Sequence, residues 1–159
     1  MVIALCGRCG GRLLETRIVL DASGPGFRMT ISGVPVYSCV QCLTPLRLDE
    51  HVGPGVQDIA AAAMSGLEQV APIGRGEPKN LSFHCRECNT KLADTADETR
   101  AHFLVNAPLK PGGQVIGIEY YGDAVTCPRC AIRHPWLGAV LYHQVLDSVT
   151  LAASHYLPR

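Results

Sequence analysis

Eight cysteines, arranged as four C-x-x-C pairs, are the residues whose type and spacing could carry chemistry in this chain. The pairs are Cys6/Cys9, Cys39/Cys42, Cys85/Cys88 and Cys127/Cys130, and no cysteine lies outside them. Two intervening residues let a tight turn direct both sulfurs at one ion, with backbone N–H groups left to hydrogen-bond the thiolates. Two such turns complete one tetrahedral Zn²⁺ site, so the pattern predicts two structural zinc ions per chain.

Disulfides and redox dithiols are the two alternative uses of such cysteines. A disulfide framework suits a secreted chain, but the first residues, MVIALCGRCG, lack the basic n-region of a secretory signal. A redox site is disfavoured because nothing around any pair resembles the βαβ context of a thioredoxin-like motif. No run approaches the roughly 18 apolar residues of a membrane span. We therefore expect a cytoplasmic protein without a membrane segment, where a reducing compartment favours metal.

An internal repeat predicts how the four pairs combine. CGRCGGRLLET (6–16) parallels CRECNTKLADT (85–95), and GVPVYSCVQC (33–42) parallels GDAVTCPRC (122–130). A repeated unit should close its own site, so one zinc is assigned to Cys6, Cys9, Cys39 and Cys42, and the other to Cys85, Cys88, Cys127 and Cys130. An interleaved arrangement, in which the first pair joins the third and the second joins the fourth, is the alternative.

The segments between the pairs indicate the kind of zinc unit. LLETRIVL and FRMTISGVPVYS are strand-like and flank the turn ASGPG, while AHFLV and QVIGIEYY flank NAPLKPGG. Two zinc knuckles joined by a β-hairpin form a zinc ribbon. The expected fold is α+β, with tandem duplicated zinc ribbons at 1–75 and 80–159, each followed by a short helix and joined by PIGRGEPKN (72–80).

A helix is predicted after each ribbon. In QDIAAAAMSGLEQV (57–70), the apolar positions that recur at helical spacing are Ile59, Ala63, Leu67 and Val70, and Asp58 is the expected N-cap. The second helix is predicted within DSVTLAASHYL (147–157), before Pro158, and the preceding WLGAVLYHQVL (136–146) is either a strand or an earlier helical turn. Each helix could form the core of its own ribbon, or the two units could pack about a pseudo-twofold axis through their helices.

The residue after the second cysteine differs among the four knuckles. Gly10 and Asn89 hold this place in the first knuckle of each copy, and both tolerate the left-handed backbone conformation often needed there. Leu43 and Ala131 hold it in the other two knuckles. We expect those two turns either to differ in shape or to carry strain.

The six histidines are candidates for extra metal ligands or for catalytic groups. His84 adjoins Cys85 and His134 lies four residues beyond Cys130, so each could replace a cysteine ligand. The other four show no Asp, Ser or Cys arrangement that suggests a triad: His51, His102, His143 and His155. A zinc with four cysteines has no open position for water or substrate, so no catalytic residue and no enzyme activity are expected.

Residues 6–42 resemble the YgiT-type zinc fingers, the zinc-binding domain of the MqsA-like antitoxins. The resemblance rests on CGRCGG, a hairpin, and then GVPVYSCVQC, of which the Gly-Val-Pro before the second knuckle is the most specific part. It implies that Cys6, Cys9, Cys39 and Cys42 are structural ligands and that the domain acts against a protein toxin. Residues 85–130 form a divergent second copy. The family's usual glycine is replaced by Leu43, and its DNA-binding helix-turn-helix is not expected here.

Charge separates two classes of partner. The formal net charge is zero, and eight thiolates with two Zn²⁺ bring the metallated chain to about −4. Arg8, Arg86 and Arg129 lie inside the C-x-x-C pairs, where a cation would offset the thiolates. Proteins that depend on phosphate contacts are usually strongly basic.

The sequence favours a protein-interaction module, antitoxin-like or immunity-like. The alternative is an accessory factor that binds nucleic acid or a nucleic-acid enzyme. Both a monomer with pseudo-twofold repeats and a homodimer fit.

Overall fold

The computed structural model describes residues 4–110, 112–138 and 140–157, and its architecture is α+β, as predicted. The strands, in chain order, are β1 Leu13–Gly24, β2 Phe27–Cys39, β3 Thr44–Arg47, β4 Ile73–Arg75, β5 Ser82–His84, β6 Glu98–Leu109, β7 Gln114–Thr126 and β8 Arg133–Pro135. The helices are α1 Val56–Glu68 and α2 Tyr142–Ala152. Short 3₁₀ turns span Pro78–Asn80 and Ser154–Tyr156.

Most of the strands belong to one antiparallel sheet. Its order is β1-β2-β7-β6, with β3 added to β2 and β8 added to β7, while β4 and β5 form a separate small hairpin. β2 pairs with β7 from Phe27 opposite Gly122 to Ser32 opposite Gly117. Strands from both predicted units, 1–75 and 80–159, therefore lie in one sheet. The duplication and the unit boundaries stay predictions.

The turn chemistry of the first hairpin explains its tight closure. Gly24 faces Phe27, so only Pro25 and Gly26 connect β1 to β2. Proline sets the φ angle of the first central residue, and Gly26 takes φ 77°, a value that costs glycine little. The second hairpin turns between β6 and β7, and its Pro111 lies outside the described residues.

One face of the sheet is buried beneath the helices. Ile116, Ile118 and Tyr120 of β7 are fully buried, and they alternate with partly or largely exposed residues, as the period of two in a strand requires. The same alternation holds at the start of β2, where Met29 and Ile31 are inaccessible. The main hydrophobic core therefore draws on both halves of the chain.

Each helix packs mainly on the other half's hairpin. α1 contacts β6 and α2, whereas α2 contacts β1 and α1. At Gly66 of α1, an added Cβ would lie 3.2 Å from the Ala107 Cβ and 3.3 Å from the Ile118 Cδ1, so the helix backbone approaches the sheet closely. The expectation that a helix covers its own ribbon is therefore corrected. The helices meet each other, as the pseudo-twofold alternative expected.

α1 begins earlier than predicted, and it ends at Glu68, before Val70. Gly55 is the N-cap of α1, and Asp58 is the third helical residue, where its carboxylate accepts a hydrogen bond of 2.9 Å from the Gly55 N–H. Asp58 was expected at the cap itself, so that prediction is wrong by three positions. α2 begins at Tyr142, so the end of the segment 136–146 is helical, which was one of its two predicted alternatives, and the Gln144 side chain caps the helix in the same way. Pro158 lies outside the described residues.

Candidate metal centres

The first set of four cysteines converges at one end of the sheet. Cys6 and Cys9 precede β1, Cys39 ends β2, and Cys42 lies in the turn before β3. All four sulfurs lie within 4.8 Å of one another. The Sγ atoms of Cys6 and Cys42 are 3.7 Å apart, and those of Cys9 and Cys39 are 3.5 Å apart. A tetrahedral ion with Zn–S bonds of about 2.3 Å requires sulfur separations of about 3.8 Å, so this set fits such an ion.

The second set has the same geometry. Cys85, Cys88, Cys127 and Cys130 also place their sulfurs within 4.8 Å of one another. The Cys85–Cys130 and Cys88–Cys127 sulfur distances are both 3.5 Å. The structure thus brings together the two sets that the repeat indicated and not an interleaved pairing. Each set could hold one metal ion, and its all-sulfur chemistry is compatible with zinc.

The cysteines are free thiols in this structure. Sulfur distances of 3.5 to 3.7 Å are far longer than the roughly 2.05 Å of a disulfide bond. One cysteine of each pair is buried, whereas Cys9 and Cys130 are exposed. Each set therefore lies close to the surface, with one side sealed by the protein.

Backbone hydrogen bonds shape the first knuckle. The Cys6 N–H donates to the Gly11 carbonyl over 2.7 Å, and the Gly10 N–H donates to the Cys6 carbonyl over 2.8 Å. The backbone N–H groups of Arg8 and Cys9 point at the Cys6 sulfur and lower the pKa of that thiol. The turn therefore favours the thiolate form of Cys6. At Cys9 the Gly11 N–H lowers the pKa, but the hydrogen bond with Cys39 and burial outweigh it and raise the pKa to about 12.

The knuckles at Cys85 and Cys127 repeat this turn. In both, the cysteine N–H donates to the carbonyl five residues ahead, and its own carbonyl accepts from the residue four ahead. The backbone N–H groups of Cys130 and Arg129 lower the pKa of Cys127. The same local geometry thus recurs in both sets of cysteines.

Two threonines that the sequence analysis missed bond directly to sulfur. The Thr44 hydroxyl lies 2.7 Å from the Cys42 sulfur, and the Thr90 hydroxyl lies 3.1 Å from the Cys88 sulfur. Each hydroxyl makes the largest contribution among several hydrogen bonds that together lower the pKa of its cysteine to about 6. The signal was C-x-x-C-x-T, which occurs at the second and third knuckles. A thiol that ionises near neutral pH competes well for metal.

All four knuckles use a left-handed residue at the same place. The φ angles are 73° at Gly10, 53° at Leu43, 61° at Asn89 and 63° at Ala131. The turns at Leu43 and Ala131 were expected either to differ in shape or to carry strain. Because all four turns share this conformation, these two residues carry backbone strain. The cost is roughly 1–2 kcal/mol for a residue with a Cβ. Leu43 is 84% exposed and gains little burial in return.

Replacing Leu43 with glycine should raise the free energy of unfolding by up to about 1 kcal/mol. The relief of left-handed strain exceeds the extra chain entropy of glycine, which is roughly 0.5–1 kcal/mol. Urea denaturation of the metallated protein measures the change. Val40→Gly is the matched control, because Val40 is also exposed, lies in the same knuckle and has no positive φ. If Leu43→Gly lowers the free energy of unfolding as much as Val40→Gly does, Leu43 carries no backbone strain.

Neither candidate histidine takes the place of a cysteine. His84 lies 3.0 Å from the Ser82 hydroxyl and 3.0 Å from the Asn89 carbonyl, and no hydrogen bond joins it to a sulfur. His134 is 2% exposed, and its Nε2 lies 3.3 Å from the Cys85 sulfur. The four cysteines of the second set are complete without either ring. His134 therefore neighbours the site as a hydrogen-bonding residue.

Comparison of the chain with models of known protein families, with curated proteins and with solved structures gave no match. The resemblance of residues 6–42 to YgiT-type zinc fingers therefore stays a prediction. Within the described ranges, no helix has both the length and the apolar character that a bilayer crossing requires.

Proposed function

We propose that this protein is a zinc-stabilised protein-interaction module, made of two tandem zinc ribbons, that neutralises a partner protein as an antitoxin or immunity protein does. Four sulfurs surround each candidate metal position, so a zinc there would have no open coordination site. Both ions would be structural, and the proposed activity is binding rather than catalysis. Binding a partner protein requires an accessible surface, and one face of the sheet provides it.

The observation that carries this proposal is the sheet face opposite the helices, here called the open face. Leu104 is 72% exposed, Val115 62% and Val19 57%, although all three are aliphatic. Single exposed apolar side chains are common on protein surfaces, so the proposal depends on three of them sharing one sheet face with polar residues around them. The open face comprises Val19, Asp21, Arg28, Thr30, His102, Leu104, Val115, Glu119 and Tyr121.

A row of three side chains crosses one end of the open face. Arg28, Tyr121 and His102 face one another on β2, β7 and β6. The Arg28 guanidinium lies 5.1 Å from the Tyr121 ring centroid, and the His102 ring stacks on Tyr121 with centroids 4.6 Å apart. Tyrosine and arginine are the residues that most often dominate protein–protein binding energy. Mutual stacking holds this row in place before a partner arrives.

The same row disfavours nucleic acid. Arg28 and His102 both contact the Tyr121 ring, and they occupy ring surface on which a base would otherwise stack. Asp21 accepts a 2.9 Å bond from Thr30, and Glu119 lies 3.1 Å from His102, which places carboxylates on this face. Together with a metallated charge of about −4, this supports a protein partner.

Leu104→Glu should weaken binding of the partner at least about 30-fold. A carboxylate would be buried in the interface in place of the most exposed aliphatic side chain of the open face, and changes at the few residues that dominate an interface cost about 2 kcal/mol or more. Leu151→Glu is the matched control, because Leu151 is 75% exposed on α2 and lies off the open face. The metallated chain is purified from its native cells, the copurifying protein is identified, and both variants are titrated with it by calorimetry.

Submicromolar binding to random DNA or RNA at low salt would instead support the accessory-factor alternative. Weak phosphate affinity is strongest under those conditions. That binding should then fall with Arg8→Glu or Arg129→Glu and be unaffected by Leu104→Glu. Arg86 is unsuitable for charge reversal, because its Nε and Nη2 donate to the Ala71 and Glu68 carbonyls.

A further inference from the structure

Two residues beside the second cysteine set reach the C-terminal end of α1. The Arg86 guanidinium donates to the Ala71 carbonyl over 3.0 Å and to the Glu68 carbonyl over 2.9 Å. The His134 Nδ1 lies 3.1 Å from the Val70 carbonyl. Carbonyls at a helix end lack intrahelical partners and carry partial negative charge, which donors and a cation satisfy. The end of α1 is thus bonded to the second site.

His134 also bonds to the site itself. Its Nε2 lies 3.3 Å from the Cys85 sulfur, and both residues are at most 2% exposed. The Val70 carbonyl and a metal-bound Cys85 thiolate can both only accept, so the ring must supply the hydrogen of each bond, one from Nδ1 and one from Nε2. The ring is further fixed because His134 lies in β8 opposite Val125. His134 therefore holds the Cys85 sulfur from a rigid position.

The first site has a different set of sulfur contacts. Its sulfurs receive the Gly11 N–H, at 3.3 Å from Cys9, and the Thr44 hydroxyl, at 2.7 Å from Cys42. Among the residues that the structure describes, no side chain links one of these four sulfurs to a helix end. The second site has its own threonine bond and adds His134. The two sites are therefore inequivalent in their surroundings, although their ligands are the same.

We infer that His134 is a positioning residue that couples the second metal site to α1, so that this site releases its metal more slowly than the first. The inference rests on the proposed zinc at both sites. Groups that bond metal ligands from outside commonly change metal affinity 10–100-fold. Metal at the second site also orders the C-terminus of α1 at Glu68 and the segment 69–71 that follows it. A chelator should therefore empty the first site before the second.

The test compares His134→Phe with His84→Phe as matched control. His84 adjoins Cys85 but contacts no sulfur, and the same ring replaces both histidines. Zinc transfer to a chromophoric chelator is followed in the full chain, and the two phases are assigned with Cys39→Ser and Cys127→Ser. His134→Phe should speed release from the second site 10–100-fold, while His84→Phe should change neither phase.

Two further readouts separate positioning from general destabilisation. With Co²⁺ in the sites, the thiolate-to-cobalt charge-transfer band of the second site should shift in His134→Phe and be restored in part by His134→Gln, whose amide can donate to sulfur. Exchange of the Val70 and Ala71 amides should quicken only in His134→Phe. If His134→Phe does not fold, the coupling is tested by the order in which the two wild-type sites release zinc and by the charge-transfer band and release rate of the second site in His134→Gln.

Equal release rates from the two wild-type sites, or an unchanged second phase in His134→Phe, would overturn the coupling while leaving zinc and partner binding intact. Absence of metal from the purified protein would instead contradict both the coupling and the proposed zinc-stabilised function.

Discussion

Cys39→Ser should reduce the zinc content from two ions per chain to one and lower stability by several kcal/mol. Cys39 ends β2 and belongs only to the first set, while the sulfurs of the second set come from other knuckles. Structural zinc binds with roughly 10–16 kcal/mol in small zinc peptides, which is comparable to the whole stability of a domain. Residues 4–12 and 39–47 should lose order, whereas the β2–β7 pairing should persist.

Elemental analysis gives the metal content, and amide spectra with thermal unfolding give the extent of disorder. Val40→Ser is the control, because Val40 lies in the same knuckle, is 64% exposed and offers no sulfur. Loss of both ions in Cys39→Ser would show that the sites fill cooperatively. Wild-type protein with no metal and with oxidised thiols would exclude the zinc proposal altogether.

Ile118→Ala should lower the free energy of unfolding by about 2–5 kcal/mol and affect both halves together. Ile118 is 1% exposed and faces Ile31 on β2 and Val105 on β6. Its Cδ1 also lies against Gly66 of α1. The cavity would therefore open where strands from both halves and a helix meet.

Urea unfolding followed by Trp136 fluorescence and by far-ultraviolet circular dichroism tests this. The two probes should give one coincident transition, and its midpoint should move without a change in slope. Val115→Ala, at a 62% exposed position of the same strand, should change stability by less than about 0.5 kcal/mol. Two separate transitions, only one of them shifted, would mean that residues 1–75 and 80–159 unfold as independent domains.

Local spacing explains what the sequence determined. Two residues between cysteines force a turn, and that turn aims both sulfurs and several N–H groups at one point. The repeat then indicated which turns belong together, and the sulfurs of Cys6, Cys9, Cys39 and Cys42 do lie together. The first hairpin was equally local, because Pro25 and Gly26 suit a two-residue connection.

Capping chemistry shows where local spacing was ambiguous. An aspartate at the start of an apolar helical pattern suits either the N-cap or the third helical position. Asp58 occupies the third position, because Gly55 ends the preceding extended segment and needs a partner for its N–H. Leu43 and Ala131 were ambiguous in a similar way, since the sequence did not distinguish an altered turn from a strained one.

Contacts between distant residues were decided only by the tertiary structure. An apolar helix face predicts burial but does not name the strand it covers, and the antiparallel pairing of β2 with β7 places each helix on the other half's hairpin. In the sequence, His134 is a candidate ligand because it lies four residues beyond Cys130. Its partners are Cys85 and Val70, which lie 49 and 64 residues away in the chain. Such contacts depend on how the sheet closes, and nothing in a local sequence window records that.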